Sequence, residues 1–131
     1  MAQLIAAAQT LTGTFADLGA EIDMSQYTRC LVWLNIDIND SLNVRLRVLG
    51  KLAPRGTLEY QLPIESIVTT TPFNVSTEGE YFEFNVDADQ QIVIEFVTNG
   101  SIPYLQFQVM AGTVGAGAGQ IDNADITFSS Y

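Results

Sequence analysis

Apolar and polar residues alternate with a period of two along most of this chain. Leu34, Ile36 and Ile38 alternate with Asn35, Asp37 and Asn39, and Val44, Leu46 and Val48 alternate with Arg45 and Arg47. Such a period marks a strand with one buried face. The turn Asp40-Ser41-Leu42 lies between these runs, so they are expected to form a hairpin whose two arginines point outward, where they can pair with Asp37. Phe82, Phe84 and Val86 likewise precede Ile92, Ile94 and Phe96, with a short Asp/Gln-rich break that predicts a second hairpin.

The first of these strands spans 28–39, and further strands are expected at 57–62, 103–111 and 122–131, with one or two at 10–23, where Gly13 and Gly19 interrupt the pattern. The polar stretch 65–79 reads as a strand fragment followed by the longest loop, and the Ala-rich segment 1–8 as a helical turn. About eight strands, with turns every ~8–14 residues, predict an all-β fold: a single antiparallel β-sandwich domain over 1–131, with residues 1–10 as an N-terminal arm. Its expected core is Trp33, Leu34, Ile36, Val44, Leu46, Val48, Phe82, Phe84, Ile94, Phe96, Leu105, Phe107 and Val109.

Composition narrows the chemistry. The chain has 131 residues, enough to bury about two-thirds of its unfolded surface in one core. It has no histidine and one cysteine, which removes Ser-His-Asp and Cys-His catalysis, histidine metal sites and zinc ribbons. Cys30, within Cys30-Leu-Val-Trp-Leu34, reads as a small buried thiol. Fifteen carboxylates leave glycosidase-type pairs open, but the sole Trp33 is expected in the core and not in a cleft. The expectation is no enzyme and no cofactor.

Asn85, Asp87 and Asp89 place oxygen side chains two apart, like a calcium loop. The register fails, because counting from Asn85 puts Gln90 where the loop needs glycine and Phe96 where it needs glutamate. A turn is expected there, with no metal. The loop 112–119 holds four glycines in eight residues, yet lacks the lysine and following helix of a phosphate cradle. It reads as flexible, or as packed closely against another backbone.

Charge is segregated. All five bases, Arg29, Arg45, Arg47, Lys51 and Arg55, lie between 29 and 55, while residues 56–131 contain ten acids and no base, for a net charge of −10. Nucleic acid and anionic membranes are poor partners for such a chain. No apolar run approaches the ~20 residues of a membrane span, and the first residues lack a basic leader, so synthesis in a host cytoplasm is expected.

The segments A-Q-T-L-T-G-T-F-A-D-L-G-A-E-I-D (8–23), N-I-D-I-N-D (35–40) and F-Q-V-M-A-G-T-V-G-A-G-A-G-Q-I-D-N-A-D-I-T (107–127) resemble small acidic β-sandwich virion proteins of tailed bacteriophages. The resemblance implies a jelly-roll-like capsid decoration, or cement, subunit located in the virion. Such a subunit forms a homotrimer and binds the major capsid protein or another virion protein. The basic residues Arg45, Arg47, Lys51 and Arg55, together with Leu4, Ile5 and Tyr131 at the ends, are then the expected contacts. Two alternatives stand beside it: a tail or head-fibre subunit, and a carbohydrate-binding module using Tyr60, Tyr81 and Tyr104 as ring platforms.

Overall fold

The computed structural model describes the backbone of residues 3–6, 8–51, 60–61, 66–69, 73–75, 81–97 and 103–129, and the side chains of 8–51, 73–74, 81–97 and 103–129. The chain is all-β, two antiparallel sheets packed as a sandwich. Its strands are β1 (Gln3–Ala6), β2 (Gln9–Thr10), β3 (Ala16–Asp17), β4 (Ile22–Asp23), β5 (Arg29–Asp37), β6 (Leu42–Lys51) and β7 (Tyr60–Gln61). They continue with β8 (Ser66–Thr69), β9 (Phe73–Val75), β10 (Phe82–Phe84), β11 (Gln90–Val97), β12 (Tyr104–Thr113) and β13 (Gln120–Ser129).

One sheet runs β1-β13-β5-β11-β8, with β2 beside β1 along β13; the other runs β3-β12-β6-β10-β9, with β4 also on β12 and β7 on β6. Ten strands therefore form the two main paths. Between the sheets, Val32, Leu34 and Ile36 from β5 meet Val44, Leu46 and Val48 from β6, all buried. Phe96 of one sheet lies 5.6 Å, centroid to centroid, from Phe107 of the other. Each such side chain contributes roughly 1.5–3 kcal/mol on leaving water.

The expected hairpins are corrected. β5 and β6 lie in opposite sheets, as do β10 and β11, so the short connections after Asp37 and Phe84 are arches over the end of the sandwich. Alternation reports which residues face the core, and an arch and a hairpin satisfy it equally. Asn39, with φ of 47°, occupies the left-handed region in the first arch, which asparagine tolerates.

Two elements differ from expectation. In 65–79, β8 on β11 is the expected strand fragment, but β9, paired to β10, stands where a loop was expected. Gln3–Ala6 is a strand on β13 and not a helical turn, because that neighbour offers its backbone hydrogen-bonding groups to a segment too short to be helical alone.

Trp33 is also corrected. Cys30, Val32, Leu34 and Ile36 point inward, so period two sends Trp33 to the outer face with Leu31 and Asn35. Phe82 is half-buried against the core and stacks edge-on with Phe73 at 5.9 Å. In β13 a bulge between Ile121 and Asn123 resets the phase, which keeps Ile121, Ala124 and Ile126 all inside and leaves Asp122 exposed.

Candidate functional site

Because a sandwich buries its inner faces, its chemistry must lie on the outer faces, the edges and the arches. On the outer face of β6, Arg45 and Arg47 share a side, as their spacing requires. Register sets Glu83 of β10 opposite Arg45, and Gln108 of β12 opposite Arg47. Arg45 Nε donates to Glu83 Oε2 at 2.5 Å. Arg47 donates through Nε to Gln108 Oε1 at 2.9 Å and also through Nη2, and Gln108 Nε2 donates in turn to Asp17 Oδ1 at 2.8 Å.

Two rings complete this layer. The Arg47 guanidinium lies 4.3 Å from the Phe15 centroid, that of Arg45 lies 5.0 Å from Tyr81, and the rings are 5.8 Å apart. Hydrogen bonding to Glu83 raises the Arg45 pKa further above its ordinary value, against a small opposing effect of burial. Neither arginine meets Asp37, which lies in the other sheet.

Lys51 shares this face but is buried, at 7% exposure, with Nζ 3.7 Å from Glu21 Oε1. Of the expected basic patch, Arg45, Arg47 and Lys51 share one outer face, each with a partner within the chain. Arg55 and Tyr131 lie outside the described residues; Leu4 and Ile5 belong to β1, with their side chains outside the description. Phe15, Glu83 and Gln108 are the members that sequence reasoning missed. Only Glu83 left a signal, as the outward residue between Phe82 and Phe84.

At the arched end the glycines have a packing role. Gly115, Gly117 and Gly119 recur every second residue against the turn at 38–40, while Ala116 and Ala118 between them face outward. A Cβ on Gly119 would stand 2.5 Å from the Ile38 carbonyl oxygen. Gly117 N–H donates to Asp40 Oδ2 at 3.0 Å, and Gly119 N–H to the buried Ser41 Oγ at 2.9 Å. Amides that would cradle a phosphate are already engaged, one of them by a carboxylate.

The Asn85–Asp89 segment is a connection of the same kind. Asp89 Oδ1 accepts the Ile38 N–H at 3.0 Å, and Asn43 Oδ1 accepts the Val86 N–H at 3.0 Å. The negative charge of Asp89, followed by partial desolvation and then by Asp122, pushes the Asp37 carboxyl above its usual range. Among the described residues no group of three His, Cys, Asp or Glu side chains is arranged to hold a metal. Burial pushes the Cys30 thiol up to about 12, with Glu95 adding to the effect, so at neutral pH it is protonated and a poor nucleophile.

Of the three tyrosines, Tyr81 is engaged over Arg45 and Tyr104 stands opposite Lys51, while Tyr60 pairs through its backbone with Gly50 and its side chain lies outside the described residues.

The outer face of the other sheet differs. Across its strands, Asp125, Trp33 and Val93 stand in one row, Thr127, Leu31 and Glu95 in the next, and Ser129, Arg29 and Val97 beyond. Arg29 lies 3.8 Å from Glu95. No protein-family model and no curated protein sequence matches the chain.

Proposed function

We propose that the protein is a non-enzymatic structural subunit of a tailed-bacteriophage particle. In this reading it is a capsid decoration subunit that associates with its own copies as a trimer and reinforces the capsid surface it binds. The observation that carries the reading is the order of the strands. From β4 to β6, and again from β10 to β13, each strand lies in the sheet opposite its predecessor, which supports a jelly-roll arrangement. Double-sheet rolls of this type build capsid and lectin domains.

Fold alone does not name a function. The chemistry of the surface favours the capsid over the lectin, because Tyr81 is engaged over Arg45 and the polar side chains of the arched end are tied to backbone groups. Such a surface is suited to shape and contact. The test is reconstitution: particles of the encoding phage, assembled without this protein, should gain thermal resistance when the purified chain is added back. Particles equally robust without it, and unable to bind it, would refute the reading.

A further inference from the structure

The two outer faces are unequal. Over β6 and β12, Phe15 and Tyr81 cover the arginines, and Leu49, Lys51, Gln106 and Met110 are buried. Over β5 and β11, the outward positions Leu31, Trp33, Val93 and Val97 are only half-buried. Among the described residues the Trp33 indole makes no side-chain hydrogen bond and no ring contact. An indole and three aliphatic side chains stand where alternation would place polar groups, and aromatic anchors of this kind dominate the energetics of docking surfaces.

The margin of this field is acidic. Asp125 flanks Trp33, Glu95 flanks Leu31, and Asp37, crowded by Asp89 and Asp122, closes one end. Among the described residues Arg29 is the cation on this face, and it already faces Glu95. Arg45, Arg47 and Lys51 lie on the opposite sheet, each held within its own chain. A second copy laid on this face would bring the same acids against one another.

We propose that the outer face of the β1-β13-β5-β11-β8 sheet, centred on Trp33, docks a protein partner whose apolar contact surface is flanked by lysine or arginine. The proposal rests on the docking-subunit reading above and names the face it uses. The five strands hold 4, 10, 9, 8 and 4 residues, and at ~3.3 Å per residue and about 4.8 Å between strands they give roughly 550 Å², the size of a small contact surface below the ~800 Å² per partner of a standard interface. The apolar centre supplies affinity, and the acidic margin supplies orientation and selection against acidic surfaces.

The test uses the purified chain as bait for a random displayed peptide library, with emission of Trp33, the sole tryptophan, as the readout of occupancy. Enriched peptides should be net positive with an aromatic or aliphatic anchor, should shift that emission to the blue, and should weaken as salt rises. Trp33→Ser and, independently, Val93→Lys should each reduce binding of a dye-labelled enriched peptide, read by its fluorescence anisotropy, by about tenfold or more without changing the far-ultraviolet circular dichroism. The proposal is overturned if no peptide is recovered, if the peptides are acidic or neutral, or if they bind both variants as well as the parent. An emission that shifts with the protein's own concentration also overturns it, by making a second copy the occupant. Basic peptides docking at Trp33 while particles prove indifferent to the protein would retire the capsid reading and keep the face; the converse would retire the face alone.

Discussion

Arg47 illustrates how a residue's position can be read from spacing while its partners in the fold stay hidden. Its spacing from Arg45 places both on one outer face, but the partners that hold them come from segments distant in sequence: Gln108 with Asp17 behind it, Glu83, and the rings of Phe15 and Tyr81. Replacing both arginines by glutamate removes two cation–π contacts and sets carboxylates beside Glu83 and Asp17. We expect a loss of about 2–3 kcal/mol in urea unfolding, whereas an unchanged midpoint would mean that the arginines are merely solvated. Trp33 was the opposite case. The run Cys30-Leu-Val-Trp-Leu34 is apolar throughout and hides its own phase, yet extending the Leu34-Ile36-Ile38 register backwards puts Trp33 outside.

At the scale of elements, strands were legible and their neighbours were not. Period two located β5, β6, β11, β12 and β13 because each buries one face against the opposite sheet. The partner of each strand depends on non-local register, which no local pattern encodes, so two arches passed for hairpins. The Gly-rich loop was legible once its period was noticed, since only the residues at odd positions meet the neighbouring turn. Gly119→Ala should therefore cost about 1–3 kcal/mol by forcing a methyl against the backbone of Ile38, while Ala118→Val, facing outward, should stay within ~0.5 kcal/mol. Equal effects of the two changes in thermal unfolding would show that the loop does not pack in this way.

At the same end Asp37 carries a pH signature. Its carboxyl titrates above the ordinary range, so in that window the folded chain binds more protons than the unfolded one. The contribution of this group to stability is therefore most favourable in acid and declines as pH rises through the raised pKa. Asp37→Asn should flatten that dependence and raise the melting temperature near neutral pH. A variant that lowers it there would mean that the carboxylate is needed as an acceptor, beyond the repulsion it suffers from Asp89.

For the whole molecule, the net charge of −10 becomes informative once the cations are located. Among the described residues the cations Arg29, Arg45, Arg47 and Lys51 all have partners within the chain, so the field these residues present to other proteins is that of the surplus acids. Such a field discourages unspecific stacking of copies and selects basic surfaces. The core was legible in sequence because burial imposes its own period; the outward field was not, because it depends on which charges the fold brings together. The central claim is that this chain is a structural part of a particle, and its copy number tests that most directly. Quantitative mass spectrometry of purified particles of the encoding phage should find on the order of dozens to hundreds of copies per particle, in proportion to the capsid lattice. Absence from the particle, with the protein remaining free in the infected-cell lysate, would contradict the account.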